Sequence, residues 1–450
     1  MEYPGSTLTK RRRQLLLALF LGLFLIITPL LVLYTVGYRY DWQSGLIKEI
    51  GALSIDVLPQ DATVFLNGEE INEKIPVRLK NVAPSSYNLR IERSGYYDWQ
   101  QEITVKSKQT IYIKDVTLIK KAEPILLTED AATLLSTSPD GNYLIYSKKT
   151  TPDLVLKNTL SQEETILTGL SYTTSTAVSW SKNNVFFSIH TTLAPYTQLI
   201  VVKTANPEKK WDLAALEKSP INKFLWDSEN DHTLYYSTTA QIRAADTNLE
   251  ETTTLTTNTY LDWYFNGGQL WTMNLTTSTN EITIKRDTLG FINTFATITS
   301  QSLEETTRTN LRLRLIQNNT VLISEEQGSR MLLVNPTRSF VVPTENFTAS
   351  ASGWWLLWNP WELWSSLGGS DPYLLNRSGI ALRQAVFIDE YNTVALRADN
   401  KISVLFPYYL VTQDILSNSQ LTGLGADSEN RLLYFSGAVS GKEGLWRMEY

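Results

Sequence analysis

The 450-residue chain contains no cysteine and only two histidines, His190 and His232. The lack of cysteine excludes disulfide bonds, thiolate metal sites and cysteine nucleophiles. Each histidine is expected to be a surface or strand-end residue rather than a metal ligand or a general base. The HExxH, P-loop and GxSxG motifs are absent as well. The sequence therefore predicts no cofactor, no metal site and no catalytic residue of these classes.

Long segments with apolar residues at helical spacing are also lacking after about Gly51. Short alternating runs rich in β-branched residues recur instead, which predicts an all-β body. Charged residues make up 19% and aromatic residues 11% of the chain, a composition typical of a folded protein. The net charge of -6 gives no electrostatic reason to expect nucleic acid as a partner. A chain of this length is expected to form two or three domains.

The first forty residues carry the pattern of a membrane anchor. An uncharged apolar run covers residues 14–38. At about 1.5 Å per residue, this run can cross a hydrocarbon core of about 30 Å as one helix. A signal peptide is the competing interpretation, but its apolar region would be shorter, about 7–15 residues, and a small-x-small cleavage site would follow. We therefore expect an uncleaved transmembrane helix over 14–38.

The residues that flank the apolar run predict its orientation. A basic cluster lies before it: Lys10, Arg11, Arg12 and Arg13. The positive-inside rule thus predicts a cytoplasmic tail over residues 1–13 and extracytoplasmic domains after the helix. Pro29 lies inside the run and is expected to kink the helix. Tyr38 and Trp42 follow, where aromatic side chains favour the lipid–water interface. The first predicted partner is thus the lipid bilayer, and the predicted location is the cell membrane.

Residues 51–120 have the pattern of a small β-sandwich. Several short alternating runs occur there, and the Asn67-Gly68 pair after one of them is a strong hairpin signal. The stretches LPQDATVFLNG and IPVRLKNVAPSSYNLRIERSGYYDW resemble the PEGA domain family. The residues that carry the resemblance are Pro59, Ala62, Asn67, Gly68, Tyr87, Gly95, Tyr96 and Trp99.

The resemblance departs from the family pattern at two places. Asp61 stands where the family usually has glycine, and PSS at 84–86 replaces its Pro-Gly turn. The flanking runs keep their spacing. The resemblance implies an extracytoplasmic accessory module without catalytic residues, used for envelope attachment or as a spacer.

From about residue 122 to 450 the chain repeats loosely, with a period of about 35–45 residues. Each unit has an apolar run, a polar turn and a second alternating run, as in TLLSTSPDGNYLIYSKK. Such a period is typical of a β-propeller. The units number seven, or eight if the tryptophan-rich stretch forms its own blade. The runs in AEPILLTED near residue 125 and in the C-terminal GLWRMEY are expected to meet in one mixed blade, so that the ring has no free edge.

The SPDG sequence at 138–141 resembles the repeat of TolB-like and WD-type propellers, in which Asp-Gly forms the turn between two blade strands. The order of anchor, PEGA-like domain and propeller resembles a group of bacterial membrane-anchored PEGA-domain proteins. That resemblance implies an architecture and no particular activity.

The stretch ASGWWLLWNPWELWSSLGG at 351–369 holds five of the thirteen tryptophans. It predicts two strands around a turn at Asn359-Pro360, with large residues on both faces, as expected for a blade buried between its neighbours. A platform that stacks on sugar rings is the first alternative, and Trp361 and Trp364 are its candidates. A patch that contacts a membrane or a partner protein is the second.

Carboxylates raise the alternative of a glycosidase, which needs two such groups about 5–10 Å apart in a pocket. The candidates are Asp140, Asp227, Glu229, Asp231 and Asp262. Most of them are expected to be solvated turn residues. The DSENDH sequence at 227–232 lacks the glycine and terminal glutamate of an EF-hand, so calcium is not expected there.

The favoured hypothesis is a non-enzymatic, single-pass membrane protein of the cell envelope. Its propeller would present a binding face to an envelope protein or a wall polymer outside the cell. The alternative is a propeller that binds or hydrolyses envelope glycans. The channel mouth is expected to separate the two: an enzyme needs two or more carboxylates there, and a scaffold needs an apolar or aromatic patch.

Overall fold

The computed structural model describes residues 10–41, 45–193, 196–276, 281–288, 290–298, 310–325, 329–350, 352–367, 369–417 and 419–450. These residues form two compact units, 1–120 and 121–450. The fold is mostly β, with one long N-terminal helix. The first unit holds helix α1 (Lys10–Thr35) and nine strands: β1 (Tyr38–Asp41), β2 (Leu46–Glu49), β3 (Gly51–Leu58), β4 (Thr63–Leu66), β5 (Glu69–Ile71), β6 (Val77–Val82), β7 (Ser85–Glu92), β8 (Trp99–Val105) and β9 (Thr110–Thr117).

Helix α1 spans 26 residues, is apolar along most of its length and buries none of its side chains. It includes the basic cluster 10–13 and continues through Pro29. It ends at Thr35, three residues before the predicted boundary, because Gly37 turns the chain with a φ of +93°. Tyr38 then opens β1, which pairs with β2. Trp42 lies outside the described residues.

The small domain of the first unit consists of two sheets. One has the order β6-β3-β9, with β3 and β9 parallel, and the other has the order β5-β4-β7-β8. Alternate residues point inward, so Ile55, Val64, Ile91 and Trp99 are almost fully buried. This is the sandwich that the alternating runs predict.

The described residues of the second unit form a propeller of eight blades. Strand β10 (Ile125–Thr128) precedes seven consecutive four-stranded blades. The strands of blades 1 to 4 are β11 (Ala131–Thr137), β12 (Tyr143–Lys148), β13 (Asp153–Asn158), β14 (Glu164–Ser171), β15 (Ala177–Trp180), β16 (Phe186–Leu193), β17 (Tyr196–Lys203), β18 (Asn206–Asp212), β19 (Lys223–Trp226), β20 (Thr233–Ser237), β21 (Ile242–Asp246), β22 (Glu251–Thr256), β23 (Asp262–Asn266), β24 (Gln269–Thr276), β25 (Glu281–Thr288) and β26 (Phe291–Ile298). A short helix α2 (Leu213–Glu217) connects blades 2 and 3.

The tryptophan-rich stretch belongs to a blade of its own, blade 6, so the described residues form eight blades. The strands of blades 5 to 8 are β27 (Leu311–Gln317), β28 (Thr320–Glu325), β29 (Met331–Asn335), β30 (Arg338–Val342), β31 (Asn346–Ala349), β32 (Trp354–Trp358), β33 (Glu362–Leu367), β34 (Tyr373–Arg377), β35 (Leu382–Phe387), β36 (Val394–Ala398), β37 (Lys401–Phe406), β38 (Val411–Ser417), β39 (Gln420–Asp427), β40 (Leu432–Val439) and β41 (Lys442–Glu449).

The ring closes as the sequence predicts, because blade 8 combines both ends of the repeat region. Its strand order is β10-β41-β40-β39, with Ile125 opposite Arg447 and Leu126 opposite Trp446. The inner strands β39 and β11 approach so closely that a Cβ on Gly423 would lie 2.5 Å from the carbonyl oxygen of Leu134. Glycine is therefore required at the point where the last blade meets the first.

The apolar core of the propeller lies between the blades. Buried side chains of blades 1 and 2 form one cluster, those of blades 4 and 5 another, and the same holds for further neighbouring pairs. A blade covered on both sides must be apolar on both faces. Strand β32 shows this most clearly, since all five of its residues are buried.

Candidate binding site at the mouth of the propeller channel

The meander topology of the blades brings particular loops to one face of the ring. The inner strands begin at this face, and the turns between the second and third strands lie there too. A cavity of about 570 Å³ opens at this face across blades 3, 4 and 5. Its lining is mostly polar, with amide and hydroxyl side chains from Asn222, Ser237, Thr238, Thr239, Gln241 and Asn258.

Four charged residues line the cavity, all from the inner strands. Lys223 begins β19 and Asp262 begins β23, while Arg312 and Arg314 come from β27. Among the described residues that line the cavity, Asp262 is the single carboxylate and three are cations.

Lys223 joins three blades. Its Nζ donates to Asp262 Oδ2 at 2.8 Å and to the carbonyl oxygens of Trp263 at 2.6 Å and Leu313 at 2.8 Å. The side chain is 17% exposed, so these three acceptors replace water around the ammonium group. Burial lowers the pKa of Lys223 to about 8, although Asp262 opposes that shift and the two arginines add to it. Lys223 is therefore still protonated at neutral pH.

Asp262 differs from the solvated turn residues that the sequence predicts for most of these carboxylates. It is 7% exposed within β23 instead of lying in a solvated turn. Its Oδ2 accepts the Lys223 ammonium and also the backbone N–H of Leu313 at 2.6 Å. A buried carboxylate needs such partners, because an unpaired charge in this position would be costly. Its partners come from positions 39 and 51 residues away in the chain.

Arg312 and Arg314 owe their position to strand alternation. Leu311 and Leu313 point into the apolar cluster between blades 4 and 5, so the residues between and after them face the cavity. Arg314 Nε donates to Ser324 Oγ at 2.7 Å, which orients that guanidinium group. A guanidinium group presents several N–H donors in a planar fork that suits carboxylate and phosphate oxygens.

The other carboxylates that the sequence singles out stabilise loops on the opposite face. Asp140 accepts from Ser138 Oγ and the Asn142 backbone in the turn between β11 and β12. Asp231 accepts from the backbone and side-chain amides of Asn183 in the neighbouring blade. Asp227 accepts from the Glu229 backbone at 2.7 Å and from a tyrosine hydroxyl. These groups serve local geometry and none of them lines the cavity.

The two histidines pack against aromatic rings. His190 lies 5.3 Å from the ring of Phe224, and burial lowers its pKa. His232 meets the ring of Phe186 edge-on at 5.8 Å. Within the described residues, no group of three or more His, Asp or Glu side chains is arranged to hold a metal ion.

The tryptophan-rich stretch is mainly core. Trp354, Trp355 and Trp358 are at most 5% exposed. Trp355 packs between blades 5 and 6, and Trp358 packs between blades 6 and 7. These are the two opposite faces of β32 that the alternation predicts.

The two candidates for a sugar platform have different surroundings. Trp361 is 57% exposed, in the turn between β32 and β33. This turn lies at the same face as the cavity. Trp364 is half-buried against the cluster between blades 5 and 6, and its Nε1 donates to Glu362 at 3.2 Å. Of the pair, only Trp361 offers an exposed ring.

Sequence reasoning missed Lys223, Arg312 and Arg314 as a group. Two signals were available. Lys223 and Asp262 occupy the first position of the inner strand in consecutive repeats, and LRLRL places two arginines on one face of another inner strand. Both signals need the blade register before they can be recognised.

The comparison with protein families concerns the first unit. Residues 50–120 match the PEGA domain.

The motif residues of the PEGA domain form its turns. Asn67 and Gly68, with φ of +51° and +86°, make the two-residue turn between β4 and β5. Gly95 also has a positive φ, of +80°, just before Tyr96.

Three further motif residues of the PEGA domain stabilise its loops. The Pro59 carbonyl accepts from the Ala62 backbone at 3.2 Å, and Ala62 is buried. The Tyr87 hydroxyl donates to the Ala83 carbonyl at 2.8 Å.

Solved structures that are similar to the chain match about three quarters of its length. The β-propeller domain of Myceliophteria thermophila Cps50 (Swd1) is 10% identical, with a TM-score of 0.38 over 73% of this chain and 98% of that one. A eukaryotic initiation factor is 12% identical, with a TM-score of 0.46 over 72% and 87%. The N-terminal domain of Nup159 is 10% identical, with a TM-score of 0.33 over 73% and 92%. No curated protein matches the chain.

Proposed function

We propose that this protein is a single-pass membrane protein of the cell envelope whose propeller binds a partner outside the cytoplasm. The observation that carries the proposal is a polar cavity at the channel mouth of a propeller, in a chain that begins with an exposed apolar helix. In this proposal the helix anchors the chain in the membrane, and the propeller carries the binding face. The PEGA domain between them serves as a spacer, and the partner is an envelope protein or a wall polymer.

The region after the helix supports an uncleaved anchor. Arg39 donates from Nη1 to the Tyr34 carbonyl at 2.6 Å, which satisfies one of the free carbonyls at the helix end. Its guanidinium group also lies 3.5 Å above the Tyr34 ring. Lys108 of the small domain contacts the Tyr38 hydroxyl and Glu49 at 3.0 Å each. Side-chain contacts thus connect the helix end, through Tyr38 and Glu49, to the PEGA domain.

The cavity also supports a function without catalysis. Glycoside hydrolysis needs two carboxyl groups that face one substrate bond. Among the described residues that line the cavity, Asp262 alone is acidic, and Lys223 and a backbone N–H occupy its Oδ2. A polar lining of this kind suits recognition.

Glycan binding by the same face is the alternative partner class. Trp361 favours it, since its exposed ring lies on the face where the cavity opens. Aromatic rings stack on the apolar faces of sugars. A wall polymer would then contact both the cavity and this ring.

Because the native chain has no cysteine, single introduced cysteines can test the proposal. Thr239→Cys places a thiol in the exposed turn between β20 and β21 at the cavity. Tyr408→Cys is the matched control, in the exposed turn between β37 and β38 on the opposite face. We expect a membrane-impermeant maleimide to label both variants in intact cells. Labelling that requires permeabilised cells would reverse the proposed topology.

A photo-crosslinker attached to the same thiols tests the binding face. We expect the full-length Thr239→Cys protein in native envelopes to crosslink a defined protein or polymer, and Tyr408→Cys to crosslink it much less. Equal capture from both positions would contradict binding at the channel mouth.

A further inference from the structure

We propose that a cleft beside the C-terminal end of helix α1 binds the phosphate group of a membrane phospholipid. The cleft has a volume of about 740 Å³ and is lined by the β1–β2 hairpin and by the turn from β6 to β7 of the small domain. This inference rests on the membrane anchor of the proposed function. It goes beyond that function because it names a lipid group and the side chain that recognises it.

The position of the cleft matches the surface of a bilayer. From Leu15 to Tyr34, helix α1 is uncharged and about 30 Å long, which equals the thickness of a hydrocarbon core. Arg39 reaches back to this end of the helix, where its Nη1 donates to the carbonyl oxygen of Tyr34 at 2.6 Å. When the helix spans a membrane, the guanidinium group therefore lies at the level of the lipid headgroups.

Arg39 is held in place by the protein and still has donors for a ligand. Its Nη1 donates to the carbonyl oxygens of Tyr34 and Tyr38, at 2.6 and 2.8 Å. The guanidinium carbon lies 3.5 Å from the centroid of the Tyr34 ring, which restricts the side chain further. Among the described residues, neither Nε nor Nη2 of Arg39 has an acceptor. These two atoms form one edge of the guanidinium fork, which suits two oxygen atoms of a phosphate group.

The charge of Glu49, which also lines the cleft, is compensated within the protein. Its Oε1 lies 3.0 Å from Lys108 Nζ, and hydrogen bonds from Ser107 and Lys108 lower the pKa of Glu49 to about 2. Arg39, by contrast, forms no ion pair with any carboxylate of the described residues. An anionic group in the cleft would supply the missing partner of the Arg39 guanidinium.

The remainder of the lining suits the part of a lipid next to its phosphate. Ile50, Ala83 and Pro84 supply apolar surface, and Asn81 supplies an amide group. A phospholipid can cover that apolar surface with its glycerol carbons and the first carbons of its acyl chains, whereas a free phosphate ion would leave it in water. The volume of about 740 Å³ lies within the ~300–1,000 Å³ of small-ligand sites.

Native mass spectrometry of the full-length protein, released from detergent micelles, tests the inference. The probes are phosphatidylglycerol, diacylglycerol with the same acyl chains, and glycerol 3-phosphate. We expect phosphatidylglycerol to be retained about tenfold more than diacylglycerol, which lacks the phosphate, and more than glycerol 3-phosphate, which lacks the acyl chains. Equal retention of the two lipids would overturn the assignment to a phosphate group. Equal retention of glycerol 3-phosphate and phosphatidylglycerol would overturn the assignment to a lipid.

Arg39→Gln should lower the retention of phosphatidylglycerol about tenfold, because hydrogen bonds to a charged group are lost, and should leave that of diacylglycerol unchanged. Arg93→Gln is the matched control, since Arg93 follows β7 at the end far from Pro84 and pairs with Asp61 at 2.7 Å. Ala83→Trp fills the cleft from an exposed position, leaves Arg39 in place and should also lower the retention. Native retention in either Arg39→Gln or Ala83→Trp would contradict the site.

The outcomes also separate the lipid site from the proposed function. If the cysteine variants are labelled in intact cells but retention does not depend on phosphate, only the lipid site is refuted. If labelling requires permeabilised cells while retention still depends on Arg39, the lipid site is supported and the proposed topology is refuted.

Discussion

The substitution Trp355→Ala separates core packing from surface display in the tryptophan-rich blade. Trp355 is 2% exposed between blades 5 and 6. Its Nε1 donates to Gln317 Oε1 at 2.8 Å, across the boundary between the two blades. Truncation therefore leaves a large cavity and removes the partner of a partly buried amide oxygen.

The expected cost can be worked out from these contacts. Replacing a buried tryptophan by alanine costs about 3–5 kcal/mol. An unfolding entropy of about 2.1 cal/mol/K per residue gives about 0.7 kcal/mol/K for a propeller of about 330 residues. A loss of about 4 kcal/mol should thus lower the Tm of the propeller transition by about 6 °C. Trp355→Phe keeps most of the ring but loses the hydrogen bond, and about 1–2 kcal/mol is expected.

Trp361→Ala is the control in the same hairpin, because Trp361 is 57% exposed. Its effect should stay within about 0.5 kcal/mol. Denaturant unfolding of the full-length proteins, followed by circular dichroism, provides the comparison. If Trp361→Ala destabilised the propeller as much as Trp355→Ala, or if neither shifted the midpoint, the assignment of Trp355 to the interblade core would be wrong.

The remaining predictions concern the ring closure and the PEGA domain. Gly423→Ala should destabilise the propeller by about 1–3 kcal/mol in chemical denaturation, because its Cβ would meet the Leu134 carbonyl. Gly379→Ala is the control, because Gly379 has open space around it. An equal loss of stability in the two variants would contradict the prediction. Trp99→Ala should cost about 3–5 kcal/mol, because Trp99 is fully buried. This loss is enough to make residues 50–120 sensitive to protease while the propeller stays resistant. If the variant resisted protease as well as the native protein does, the prediction would be refuted.

Local patterns in the sequence determined several elements directly. The apolar run up to Thr35 has the composition of a membrane helix, and Asn67-Gly68 forms the hairpin turn that its positive φ angles require. The alternation in the tryptophan-rich stretch assigned Trp355 and Trp358 to opposite faces before any neighbour was known. In each case, the physical cause lies within a few adjacent residues.

The mixed blade is an intermediate case. The sequence predicted that the strand near residue 125 and the C-terminal strand would pair, because a closed ring leaves no exposed edge. The number of blades needed the sheet assignment, which shows that the tryptophan-rich stretch is a complete blade of its own.

By itself, the sequence determined the apolar N-terminal helix, the PEGA domain and a repeating β body, because these follow from hydropathy, turn chemistry and alternation along the chain. Only the tertiary structure decided what lies at the channel mouth. The sequence alone identifies no partner for Asp262, whereas the fold brings the ammonium group of Lys223 to within 2.8 Å of it. Arg312 joins the same cavity from a third blade. Residues so far apart in the chain meet because each begins or occupies an inner strand, and the closed ring turns all inner strands toward one axis.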